Sequence, residues 1–186
     1  MKRLYLVRHC RATGQEPEAP LTPEGEIQAE TLADFLSPLG IQRIVSSPFV
    51  RAVHSIQPLA NRLGLQVKID SRLAERVLST TPLTDWWARY QASFEELDVA
   101  LEGGESSRAA MARGAAAVEE LLAHAAGATV AVSHGNLLTL IRRHIDGRSG
   151  YEEWKALTNP DVFCLEADGM TRKLQHLPDV RWSGNA

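Results

Sequence analysis

Residues 7–15 read VRHCRATGQ and place two nucleophiles side by side, His9 and Cys10, next to the cation Arg8. Either side chain can attack phosphorus, but the two attacks need different surroundings. A cysteine that attacks phosphate wants loop amides around its thiolate and an arginine six positions on, as in HC-x5-R. Here that position is Glu16, whose carboxylate would repel a phosphate dianion. The loop also carries only Gly14, with Pro17 close behind, so few of its amides can turn toward one anion. Cys10 reads instead as a small packing residue at a strand end. A neutral imidazole forms a phosphoramidate that water can cleave, and it needs cations on the phosphoryl oxygens. Arg8 and Arg51 can supply planar forks to those oxygens. The same cations should depress the pKa of His9 and keep it neutral at pH 7. His134 can donate to the phosphoryl group as imidazolium, and Glu75 can give the leaving oxygen its proton.

These residues need elements to bring them together. Residues 3–8 (RLYLVR) read as a first strand. Thr22 offers an N-cap with Pro23 at the first helical position, and Ile27, Thr31, Leu32, Phe35 and Leu36 follow at helical spacing until Pro38 and Gly40. IQRIVS at 41–46 is a buried strand, followed by a helix from Val50 to Leu63 that stops at Gly64. LQVKI at 65–69 predicts a third strand and 83–98 a further helix, broken by EGGES at 102–106. Ser106-Ser107 caps an alanine-rich helix to about His124. ATVAVS at 128–133 is a fourth strand, entering Gly135 and the helix NLLTLIRRHI, on which Arg142 and Arg143 read as a solvated face. Residues 161–167 and 171–176 predict a closing hairpin with Asp168-Gly169 as its turn. Alternating strands and helices imply an α/β fold with a mostly parallel sheet and helices on both faces. Ligand sites in such sheets lie at the carboxyl ends of strands, where Arg8, His9, Ser46, Ser47, Ser133 and His134 all fall, with Arg51 just beyond.

The bulk numbers narrow the class. The 186 residues are enough for one domain with a full core, and 44% hydrophobic content marks a globular chain. A net charge of −3 argues against general binding to nucleic acid or to an anionic membrane surface. No apolar run approaches a membrane span, and no signal peptide is evident in MKRLYLVRHC. Two cysteines without a CxxC pair fit a reduced, cytoplasmic protein. His54, His124, His144 and His176 lack paired spacing, so no metal site is expected.

LVRH at 6–9, PLTPEG at 20–25 with Gln28 and Ala29, SSPFVRA at 46–52, LAER at 73–76, GGES at 103–106 and VSHGN at 132–136 occur in this order. Together they resemble the histidine phosphatase superfamily, the phosphoglycerate-mutase-like group. The resemblance implies a three-layer α/β/α sandwich, a phosphohistidine intermediate and no metal or other cofactor. It assigns His9 as nucleophile, Arg8 and Arg51 as phosphate-binding catalytic groups, His134 as the second histidine and Glu75 as proton donor. Gly135 is expected to lend a backbone amide to phosphate, with Gln15 and Thr13 as lesser substrate contacts. Cys10 and Arg11 depart from the family's RHG pattern: Cys10 could narrow the pocket floor, and Arg11 could reach a substrate anion or point to solvent.

Some roles stay open at this level. Glu75, flanked by Arg72 and Arg76, could be a plain surface ion pair. Trp86, Tyr90, Phe94 and Leu97 recur at helical spacing beside Trp87, a stripe that is usually core. It lies in the segment that caps the site in relatives, so Trp86 or Trp87 is expected to line an apolar wall for the substrate's alcohol. The expectation is one domain over 1–186 with a cap-like helical segment at about 76–106. It acts as a phosphomonoester hydrolase on a small phosphorylated metabolite, with no nucleic-acid or membrane partner. The alternatives are phosphoglycerate-mutase-type phosphoryl transfer and a non-catalytic phospho-ligand-binding regulator. Oligomeric state and exact substrate are unreadable.

Overall fold

The computed structural model describes residues 1–168 and 171–177. The chain runs β1 (Lys2–Arg8), α1 (Pro23–Leu36), β2 (Ile41–Ser46), α2 (Val50–Leu63), β3 (Val67–Ile69), α3 (Trp86–Ala92), α4 (Ser107–Ala123), β4 (Ala128–Ser133), α5 (Gly135–Asp146), α6 (Tyr151–Lys155), β5 (Asp161–Asp168) and β6 (Thr171–His176). The strands form one sheet in the order β3-β2-β4-β1-β5-β6. β1 to β4 run parallel, β5 runs against β1, and β6 runs against β5.

Strand alternation sorts the core into two layers. Tyr5, Val7, Ile44, Val130 and Val132 face α1 and α2, packing on Leu32, Leu36, Ile56 and Leu59. Leu4, Leu6, Val45 and Ala131 face the other way, onto Val118 and Leu121 of α4 and Leu137 and Ile141 of α5. The result is the three-layer sandwich that the alternating pattern implies. Among the described residues no helix is long and apolar enough to cross a membrane.

Local chemistry sets most helix boundaries. The Thr22 side chain accepts the Gly25 N–H, with Pro23 in the first turn of α1. Ser106 accepts the Ala109 N–H and starts α4. Gly64 ends α2 in the left-handed region at φ 65°, returning its N–H to Ala60 and Asn61.

Three sequence expectations are corrected, and one helix goes unread. The helix expected at 83–98 covers only Trp86–Ala92. Beyond it, the Ser93 hydroxyl bonds back to Tyr90 O at 2.7 Å and Arg143 takes Phe94 O at 2.6 Å, so the carbonyls that a longer helix would use are occupied. The third strand begins at Val67, because the Leu65 N–H returns to Ala60 O and still belongs to the end of α2. Arg142 and Arg143 are not a solvated face: the Arg142 guanidinium lies over the Phe163 ring at 4.2 Å, and Arg143 is the partner of Phe94. Finally α6, five residues long, carries too little periodicity to be read from sequence. The β5–β6 hairpin pairs Asp168 with Thr171, while the Gly169 half of the expected turn lies outside the described residues.

β4 lies between β1 and β2, and this places the site. The His9 N–H bonds to Ser133 O at 3.1 Å and the Ser47 N–H to Val132 O at 2.9 Å. His134, the residue after β4, therefore emerges between the ends of the two flanking strands.

Candidate active site

His9 is 7% exposed, at the floor of a cavity of about 550 Å³. Its Nδ1–H has the Cys10 carbonyl as acceptor at 2.7 Å, which makes Nε2 the ring's acceptor nitrogen. The Arg51 Nε–H donates to that Nε2 at 3.2 Å. Burial pulls the imidazole pKa down to about 3, with the Arg51 and Arg8 charges adding to the shift and the Cys10 bond opposing it. The expected neutrality is present, but burial ranks ahead of the arginines as its cause.

Arg51 is fully buried, and its Nη1 donates to Gln15 O at 3.0 Å and Glu16 O at 2.8 Å. The loop that looked unable to hold an anion with its amides instead holds the cation with its carbonyls. Arg8 donates through Nη1 to Leu157 O at 3.1 Å and Thr158 O at 3.2 Å, and its buried Nε has no partner. Gly135 makes room for it, since a Cβ there would stand 3.2 Å from Arg8 Nε and from Trp154 Nε1.

The His134 ring centroid is 5.1 Å from that of His9. Its Nε2 pairs with Ser47 Oγ at 2.7 Å, and its buried Nδ1 has no partner. Burial first, then the charges of His9, Arg51 and Arg8, hold it well below the ordinary imidazole range. Phe49 packs against the His134 ring at 4.8 Å and under the Arg51 guanidinium at 4.8 Å, filling the space between them.

Glu75 is not a surface ion pair. It accepts the N–H groups of Asn136 and Leu137 at the start of α5, both at 3.0 Å, and of Arg76 at 2.9 Å. Its charged neighbours are engaged elsewhere: Arg72 with Asp70 and Glu120, Arg76 with Glu105 O and Ser93 Oγ.

The remaining expected contacts divide. Gln15, Gly135, Trp86 and Trp87 line the cavity. Thr13 does not, because its N–H and hydroxyl both turn to Pro20 O and close the loop on itself. Cys10 is 0% exposed within the core layer, so it does not narrow the pocket floor, and burial pushes its thiol up to about 12. Arg11 lines the cavity mouth and pairs with Glu24 at 2.6 Å. The aromatic stripe splits: Phe94 and Tyr90 are buried, while Trp86 and Trp87 are 41% and 60% exposed. Trp86 stacks on Tyr90 with ring centroids 4.8 Å apart.

Sequence reasoning missed Arg76, Asn136, Trp154 and Asn159, all cavity-lining. Asn136 could have been found from its place in VSHGN; Trp154 and Asn159 lie in a stretch with no local signal. Among the described residues no three His, Cys, Asp or Glu side chains gather in a way that could hold a metal ion.

Comparison with known proteins gives the same frame. The model of the histidine phosphatase superfamily (branch 1) matches residues 4–180. A curated relative, "Probable phosphoglycerate mutase GpmB" of Enterobacter sp. (strain 638), is 31% identical over 171 residues, covering 82% of this chain and 79% of its own. A mycobacterial glucosyl-3-phosphoglycerate phosphatase, solved in complex with VO3, superposes with a TM-score of 0.75 at 26% identity, covering 95% of this chain and 98% of its own. Bacillus stearothermophilus YhfR shares the fold at a TM-score of 0.81 and 22% identity, covering 98% of this chain and 99% of its own. With its motifs in order and its strand ends converging on two histidines, this chain belongs to the histidine phosphatase superfamily.

Proposed function

We propose that this protein hydrolyses a phosphomonoester of a small metabolite through a phosphohistidine on His9. One observation carries the reading: a buried, neutral imidazole whose Nδ1 is held by a carbonyl and whose Nε2 faces a guanidinium. Substrate phosphate would displace the Arg51–His9 contact and take the guanidinium as its own partner. The Nε2 lone pair then attacks phosphorus as the ester P–O bond breaks. Arg51 and Arg8 balance the charge on the transferring oxygens, and His134 serves as a neutral hydrogen-bond donor to them. With the Ser47 Oγ–H donating its hydrogen bond to His134 Nε2, the unpartnered Nδ1 of the neutral ring carries the N–H and serves as a donor. Glu75 protonates the leaving oxygen. Its Oε1 takes two backbone N–H bonds and Oε2 one, which leaves Oε2 the better-placed oxygen to carry that proton. Water then attacks the phosphohistidine and gives a proton to Glu75 as the P–N bond breaks, returning neutral His9 and free phosphate. The positive charge in this scheme comes from side chains, so turnover should persist in a chelator.

The segment at about 76–106 serves as the cap, with Trp86 and Trp87 as its apolar wall. The exposed rim residues Arg11, Gln15 and Trp87 support access of water, hence hydrolysis over mutase-type retention of the phosphoryl group. The test offers p-nitrophenyl phosphate and 3-phosphoglycerate with EDTA present. Phosphate release and an acid-labile phosphoprotein, both absent in His9→Ala, are expected. Isomerisation without phosphate release would favour the mutase alternative, and phosphate binding without turnover the regulator.

A further inference from the structure

The loop from Leu157 to Asp161 leaves α6 and enters β5 beside β1, passing residues 8 and 9 on the way. Three hydrogen bonds join it to them. The Asn159 side chain donates from Nδ2 to His9 O at 2.8 Å. Leu157 O and Thr158 O receive Arg8 Nη1. We propose that Asn159 is a positioning residue for His9, set in a loop that serves as the common mount of His9 and Arg8. The proposal rests on His9 being the phosphoryl acceptor.

The peptide that follows His9 is held at both of its polar atoms. Its carbonyl takes the Asn159 bond, and its N–H, that of Cys10, donates to Ser55 Oγ at 2.8 Å. Ser55 in turn donates to Arg51 O at 2.6 Å, which ties this peptide to the helix carrying the phosphate-facing arginine. The next carbonyl along, Cys10 O, is the one that receives His9 Nδ1–H. Turning the His9–Cys10 peptide would move Cys10 O and swing the imidazole, or free it to take the other tautomer. Asn159 therefore aims Nε2 without touching the reacting atoms.

The mount is itself anchored. Asp161 is 2% exposed and accepts the Thr158 N–H at 3.3 Å through Oδ2. Its Oδ1 takes the Val162 N–H at 3.0 Å and His176 Nε2 at 2.5 Å. The Thr158 hydroxyl closes the loop onto Pro160 O at 2.6 Å. A loop held this way can transmit a fixed position to its partners, as precise catalytic geometry requires.

The test compares Asn159→Ala and the nearly isosteric Asn159→Asp, which keeps the shape but sets a carboxylate oxygen against a carbonyl. Both are assayed for kcat and KM on p-nitrophenyl phosphate, for thermal midpoint, and by 15N NMR of the His9 ring. Expected is a fall in kcat of roughly tenfold to hundredfold in folded Asn159→Ala with KM changed less, and a larger fall in Asn159→Asp, whose carboxylate on the cavity wall also raises KM. The His9 signal should shift from a pure Nδ1–H tautomer to a mixture. A kcat within about twofold of wild type in both variants overturns the proposal. So does a loss that merely tracks the unfolded fraction while folded molecules keep the pure tautomer. If wild-type protein releases phosphate from no monoester, the hydrolase reading falls instead, and the NMR comparison still decides what Asn159 does.

Discussion

At the scale of single residues, the site is organised around keeping an imidazole uncharged. His9 and His134 both lie below the ordinary imidazole range when folded, with burial as the first cause for each. In the unfolded chain both return to about 6.5. Between that value and about 3 the unfolded chain binds a proton that folded His9 refuses, so stability must fall as pH drops. For His9 the loss is on the order of 1–2 kcal/mol at pH 5 relative to pH 7. Urea unfolding at the two pH values should show it, and His9→Ala should lose less than wild type; equal losses would contradict the placement. Glu75 makes a separate prediction. As the proposed proton donor it would matter most for alcohols that leave poorly, so Glu75→Gln should cost an alkyl phosphate roughly 10²–10³ in kcat and p-nitrophenyl phosphate far less. Equal losses on both substrates would assign Glu75 to holding the start of α5. The residue types proposed for this chemistry stand in VRHC, SSPFVRA, LAER and VSHGN, and Glu16 is what favours histidine over cysteine in the proposal. What Glu75 touches was not legible, since two of its three backbone N–H partners lie some sixty residues away.

At the scale of elements, caps and breakers were readable because each acts within a few residues. Thr22, Pro23, Gly64 and Ser106 sit where their conformational preferences place them. The shortened α3 was not readable, because the bonds that end it come partly from Arg143 on α5. Gly25 shows how tightly one element sits on a loop. A Cβ there would meet Arg11 O at 2.0 Å, and Arg11 O already receives the Thr22 N–H. Gly25→Ala should therefore push the 11–22 loop off α1 and destabilise the protein by about 1–3 kcal/mol in chemical denaturation. A change within about 0.5 kcal/mol would mean that the loop yields freely.

At the scale of the whole molecule, two histidines more than a hundred residues apart meet because β4 inserts between β1 and β2. Residues of the aromatic segment line one wall of the cavity so formed. Phe94 packs behind that wall and is 1% exposed, whereas Trp87 is 60% exposed on it. The two should respond differently. Phe94→Ala should cost about 3–5 kcal/mol of stability. Trp87→Ala should leave stability within about 0.5 kcal/mol and raise KM for bulky aryl phosphates several-fold while sparing small alkyl ones. A uniform loss of stability in Trp87→Ala would make it a core residue instead.

The sequence by itself determined the residue types proposed for the chemistry, the strand ends that carry them and the layered α/β class, because these depend on side-chain chemistry and on short periods of hydrophobicity. Only the tertiary structure decided that β4 runs between β1 and β2, that Leu157–Asp161 backs Arg8 and His9, and which tryptophans face the cavity. Such pairings arise between segments distant along the chain, and neither partner carries a local pattern that names the other.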